Sequence, residues 1–192
     1  IEMDADGMRI DLLEETLDAL EAEGKRPKFI YSIPTFQNPG GVTLSLERRR
    51  RLVEIARERE ILVVEDNPYG LLRFEGEPLP TLYSLDGGNY VVYLGTFSKI
   101  LSAGLRIGWL VTPTPIREKV VLGKQAGDLC TSSLTQDFAG HFFRDGDWRE
   151  YVAELTDIYR ARRDVMISAM AEYFPHGATW NKPSGGLFIW AT

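Results

Sequence analysis

Apolar residues follow two rhythms along this chain. Short continuous apolar runs alternate with stretches in which an apolar residue returns every three or four positions. From Asp11 to Glu23, Leu12, Leu13, Leu17 and Leu20 share one side, which predicts an amphipathic helix. Asp11, with Glu14 three residues on, supplies an N-cap pattern, and Gly24 a stop. Phe29 to Ile33 reads as a short strand. Leu46 to Glu60 reads as a second helix, with Leu46, Val53 and Ala56 at helical spacing. The arginines and glutamates over its outside read as a solvated face. Ile61 to Val64 is continuously apolar and β-branched, the signature of a buried parallel strand. Strand, helix and strand from Phe29 to Val64 make one βαβ unit. Tyr90 to Gly95 and Gly108 to Thr112 add two more strands. Leu71 to Leu85, with Gly76, Pro78 and Pro80, reads as a loop. Pro115 to Gln125 and Ser132 to Arg144 read as helices, the second with Leu134, Phe138 and Phe142 at i, i+4 and i+8. Trp148 to Phe174 reads as one long helix that buries Tyr151, Leu155, Tyr159, Val165, Met166 and Met170. Leu187 to Ala191 begins another strand-like run. The pattern is that of an α/β fold.

Composition narrows the class. With 192 residues, 44% hydrophobic and 26% charged, the chain holds one domain with a sizeable core and a piece of another. A net charge of -6 argues against a nucleic-acid surface, and glutamates surround the basic run Arg48 to Arg51. The single cysteine, Cys130, excludes an internal disulfide and fits a reducing, cytoplasmic compartment. It reads as a small buried residue. No apolar run approaches the roughly 18 residues of a membrane span, so no membrane partner is expected. The first residues, Ile1-Glu2-Met3-Asp4, are acidic and carry no signal-peptide pattern. His141 and His176 read as packed or solvent-facing side chains rather than chemistry.

The chemistry concentrates between the third and fourth strands. Lys99 is the one lysine in the run Thr96-Phe97-Ser98-Lys99-Ile100-Leu101-Ser102-Ala103-Gly104-Leu105-Arg106-Ile107-Gly108. A lysine close to buried strands can have its pKa lowered by desolvation, which frees the amine as nucleophile or base. The hydroxyls of Thr96 and Ser98 and the guanidinium of Arg106 suit a phosphate. A lysine beside a phosphate site points to a Schiff base with a phosphate-bearing aldehyde, and pyridoxal phosphate is such a compound. Taken alone, the run reads equally as a loop with one surface lysine. Asn38 follows a strand end, where α/β sheets bind ligands, though turn geometry alone would also favour asparagine there. Asp66 ends an apolar strand, where an acid needs a partner, though by itself it reads more readily as a helix cap or turn aspartate; Glu65 beside it points to the other face. Arg73 reads as a surface arginine.

Four blocks together resemble the class I/II, fold-type-I aminotransferases: Pro34-Thr35-Phe36-Gln37-Asn38-Pro39-Gly40-Gly41, Glu65-Asp66-Asn67-Pro68-Tyr69-Gly70, the lysine run, and Pro183-Ser184-Gly185-Gly186-Leu187-Phe188-Ile189-Trp190. The resemblance lies nearest the 2-aminoadipate, kynurenine and aromatic aminotransferase subgroup and covers essentially the whole chain. It implies a three-layer αβα large domain with a mostly parallel sheet, here residues 1–146, in which the fourth strand runs antiparallel. Residues 147–192 would be the connector helix and the beginning of the small domain. It implies pyridoxal 5'-phosphate held by Lys99 as a Schiff base. Asp66 would hold the pyridinium nitrogen, Asn38 and Tyr69 the phenolic oxygen, and Thr96, Ser98 and Arg106 the phosphate. Lys99, Asp66 and Tyr69 would be the catalytic set. Substrates would be an amino acid and a 2-oxo acid, and the assembly a homodimer. Ala103 departs from a proline common in relatives, and Gly40-Gly41 gives N-P-G-G in place of N-P-T-G. The resemblance also implies that segments at both ends lie outside this sequence, among them the substrate-carboxylate arginine and the ring-stacking aromatic. Alternatives on the same fold are the effector domain of a MocR-type transcription regulator, a pyridoxal-phosphate lyase, or a folded remnant without cofactor.

Overall fold

In the computed structural model, which describes residues 1–192, the chain opens with a small antiparallel hairpin, β1 (Met3–Asp4) and β2 (Gly7–Met8). Helix α1 (Ile10–Ala22) follows at once. It starts before the expected cap. Arg9 occupies the N-cap without a capping side chain, and Asp11 sits inside the first turn, ion-paired with Arg9. A carboxylate there also meets the positive end of the helix dipole. Gly24, with φ of 69°, supplies the expected stop.

Strand β3 (Phe29–Ser32), helix α2 (Leu46–Glu58) and strand β4 (Leu62–Asp66) form the βαβ unit, with Ser45 capping α2 through the Arg48 N–H. The stretch read as a loop contains a helix, α3 (Leu82–Asp86), capped by Thr81. Strand β5 (Val91–Thr96) pairs parallel with β4, and β6 (Gly108–Val111) pairs antiparallel with β5. The sheet order is β3-β4-β5-β6.

One face of the sheet carries Ile30, Val63 and Val91. Helices α1, α2 and α3 close over it with Leu13, Leu17, Leu52, Ile55 and Leu82. Each such side chain contributes about 1.5–3 kcal/mol by leaving water. Pairing register and the two-residue side-chain period put Tyr31, Asp66, Leu94 and Thr96 on the opposite face.

The charge run on α2 is not wholly solvated. Arg49 is completely buried. Its guanidinium donates to the carbonyls of Leu44 at 2.9 Å, Pro34 at 2.7 Å and Pro80 at 3.0 Å, and to the Thr35 hydroxyl at 2.8 Å. Burial pulls its pKa down to about 10, against the charge of Glu65. Glu65 is equally buried, as its alternation predicts, and accepts the N–H groups of Leu82 and Tyr83 at 3.0 and 2.8 Å.

Helices α4 (Thr114–Gly127), α5 (Ser133–Asp145) and α6 (Trp148–Tyr173) complete the chain. Not every expectation holds here. Cys130 is exposed. On α5 the buried residue is Ala139, while Leu134 and Phe138 face solvent. On α6 the buried line is Val152, Thr156, Arg163 and Met170, while Tyr151, Val165 and Met166 are exposed. Polar residues hid that line. Thr156 returns its hydroxyl to the Val152 carbonyl at 2.7 Å, and Arg163 donates to the Pro183 carbonyl and the Glu75 carboxylate. Leu187 to Ala191 forms no strand, only an isolated bridge between Trp180 and Ala191. His141 and His176 are exposed. No helix is long and apolar enough to cross a membrane.

Candidate active site

The candidate residues gather at the C-terminal ends of β4 and β5, where parallel strands of an open α/β sheet bind ligands. Asp66 is the last residue of β4 and Thr96 the last of β5. β5 runs into a π-helical turn, Ser98–Ser102, and then a 3₁₀ turn, Ala103–Leu105. Isolated π turns are uncommon and often sit at functional sites. Packing holds this one. The Trp109 indole lies against the β5 backbone so closely that a Cβ on Gly95 would come within 2.3 Å of it. The Phe97 ring sits 4.6 Å from Trp109 and 4.5 Å from Phe143, and Ile100 is buried with Leu72 and Val152. Lys99 stands between these two anchors, half-buried.

Thr96 and Ser98 are joined. Their hydroxyls are 2.9 Å apart, and the Ser98 N–H donates to the Thr96 hydroxyl at 3.1 Å. Arg106 precedes Ile107, whose carbonyl accepts the Phe97 N–H at 3.2 Å. Arg106 adopts φ of 55°, a left-handed conformation that side chains other than glycine rarely take. Two hydroxyls and an exposed guanidinium thus belong to one strand–turn–strand unit.

Asn38, Asp66 and Tyr69 form a second group, and it includes a residue that no motif singled out. The Tyr31 hydroxyl donates to Asp66 Oδ2 at 2.6 Å. The Tyr69 side chain is buried. Burial raises its phenol pKa most, a hydrogen bond from Asn38 opposes this, and the Asp66 charge adds to the rise. Asn38 and Asp66 are thus the polar side chains that act on that phenol. The Tyr31 phenol is raised by burial first and then by Asp66. The only trace of Tyr31 in the sequence is its parity in β3, which matches the face of Asp66.

The last block closes over the first. Phe36 is fully buried with φ of 53°. A Cβ on Gly185 would come within 2.2 Å of its ring. Asn181 Nδ2 donates to the Gly40 carbonyl at 2.6 Å, and Phe188 meets the Tyr69 ring edge-on at 5.7 Å. Arg73, read as a surface residue, is half-buried with its guanidinium over Phe36 at 4.7 Å.

The donor set fits a ligand with an anionic group at one end and a protonated ring nitrogen at the other. Hydroxyls and an arginine suit a phosphate. Asp66 accepts from Tyr31 at Oδ2, and its Oδ1 has the chemistry to accept a cationic N–H. The fold is an open α/β sheet with this donor set at the C-terminal ends of its strands. The chain belongs to the aminotransferases of class I and II, whose family profile matches residues 2–192. It is 46% identical to aromatic-amino-acid aminotransferase 1 of Thermococcus litoralis, over 100% of this chain and 46% of that protein. The crystal structure of Pyrococcus horikoshii kynurenine aminotransferase, in complex with PMP, superposes with a TM-score of 0.96 at 45% identity, covering 100% of this chain and 48% of that one. An uncharacterized HTH-type transcriptional regulator of Bacillus subtilis, YisV, is 35% identical over 86% of this chain and 34% of the regulator. The chain spans about half the length of the aminotransferases it matches. The fold is thus that of the fold-type-I enzymes, with the mostly parallel sheet expected.

Proposed function

We propose that the protein is a pyridoxal 5'-phosphate-dependent aminotransferase that moves an amino group between an amino acid and a 2-oxo acid. The observation that carries this reading is the convergence of Asn38, Asp66 and Tyr69 at the end of β4 with Thr96, Ser98 and Lys99 at the end of β5. The cofactor, when bound, supplies an electron sink that lets the Cα–H bond of an amino acid break. Lys99 is the residue that would carry it covalently, and its amine then takes the proton from Cα. Asp66 keeps the ring nitrogen protonated by pairing with it. Asn38 and Tyr69 bind the phenolic oxygen, and Thr96, Ser98 and Arg106 bind the phosphate. The similarity to aromatic and kynurenine enzymes supports that substrate class. The higher identity over the full chain favours the enzyme over the regulator reading. We also assign residues 1–146 to the cofactor-binding large domain and 147–192 to the connector helix and the beginning of the small domain. A cytoplasmic homodimer in amino-acid metabolism completes the reading.

The test is an absorption titration with pyridoxal phosphate, followed by borohydride reduction and peptide mapping. A new band near the visible, with label on Lys99 and none in Lys99→Ala, is the expected result. A folded protein that takes no label, or takes it elsewhere, overturns the assignment.

A further inference from the structure

We propose that Tyr31 is a positioning residue for Asp66, holding one carboxylate oxygen so that the other is left to the ring nitrogen of the cofactor. This rests on the pyridoxal-phosphate reading above. Tyr31 pairs in register with Val64 on the neighbouring parallel strand, and Asp66 lies two residues further along the same face. That offset is about 6.6 Å at a strand rise near 3.3 Å, a distance a phenol ring spans. The resulting contact of 2.6 Å falls in the range of a charge-assisted O–H···O⁻ bond.

Core packing does not account for Tyr31. It lies on the edge strand β3 and remains 53% exposed. Its hydroxyl is the part that does something specific, and what it does is fix the Asp66 carboxylate. Covering Asp66 with a ligand strips water hydrogen bonds from its oxygens. A phenol donor offsets that loss and restricts the rotation of the carboxyl group. Phenylalanine would keep the ring and remove only the donor.

The experiment compares two ligands. One is pyridoxal phosphate; the other is its 1-deaza analogue, in which carbon replaces the ring nitrogen. Dissociation constants are measured by equilibrium dialysis for the wild type, Tyr31→Phe, Asp66→Asn and the double variant. Tyr31→Phe is expected to weaken pyridoxal phosphate about tenfold, as for the loss of one hydrogen bond to a charged group. The deaza analogue should change less than twofold, and in the Asp66→Asn background Tyr31→Phe should add no further loss. An equal loss for both ligands marks a general packing role and overturns the proposal, as does no loss for either. A wild type that binds pyridoxal phosphate while Tyr31→Phe behaves in one of those ways leaves the cofactor reading standing. A folded wild type that binds neither ligand overturns both.

Discussion

Glu65 and Asp66 are chain neighbours with opposite fates. Strand alternation turns Glu65 inward, where it holds the first N–H groups of α3, and turns Asp66 toward Tyr31. The inward acid was readable from periodicity, and so was the outward one. The buried Arg49 was not, because a residue in the run Arg48 to Arg51 looks like its neighbours until the carbonyls of Leu44, Pro34 and Pro80 fold around it. Tyr31 escaped for the same reason: its partner is 35 residues away and no motif includes it. Removing the Glu65 carboxylate would strand those backbone donors and leave Arg49 without the nearest opposing charge. Glu65→Ala is therefore expected to cost about 3 kcal/mol, read as a lowered midpoint in urea unfolding. An unchanged midpoint would remove Glu65 from the framework of the fold.

At the scale of elements, the four strands of the main sheet and the five longer helices were legible because each repeats its pattern over several residues. Helix α3 was not: it is five residues long and depends on Thr81 and Glu65, partners that lie outside it. The hairpin of β1 and β2 was also silent, and what fixes it is electrostatic. Arg48 of α2 grips Asp4 with two bonds, at 2.6 and 2.7 Å. The hydrogen bond from Arg48 brings the Asp4 pKa down from 3.8 to about 2. An acid with a depressed folded pKa adds stability that is present above its unfolded value and is lost as pH falls through its folded one. Asp4→Asn should therefore melt below the wild type at pH 6, and the two melting curves should converge as the pH approaches 2. Thermal unfolding followed by circular dichroism checks this; a constant gap across that window would locate the effect elsewhere.

Across the whole molecule, the four blocks were visible as separate words, but their meeting was not. Nothing in a linear pattern says that Gly185 abuts Phe36 or that Phe188 meets Tyr69; those contacts come from the path of the chain through α6 and back. The junction is tight enough to test. Gly185→Ala would push a methyl into Phe36 and toward the Leu72 carbonyl, 2.5 Å from the new carbon. Overpacking of this kind costs about 1–3 kcal/mol. Limited proteolysis is expected to cut the segment between Asn181 and Trp190 faster in this variant, and pyridoxal phosphate to bind more weakly. A protease pattern identical to the wild type would show that the junction yields without consequence.

The bond from Asn181 to Gly40 also sets an order in time. The two residues are separated by 141 positions. At a synthesis rate of about 5–20 residues per second, Gly40 is made between about 7 and 30 s before the residue that fastens it. The sheet, whose pairings reach only from Phe29 to Val111, can form in that interval. The nascent chain can thus pair its strands before the Asn38 loop is fastened, so a polypeptide interrupted before Asn181 would carry the sheet with that loop left unlatched.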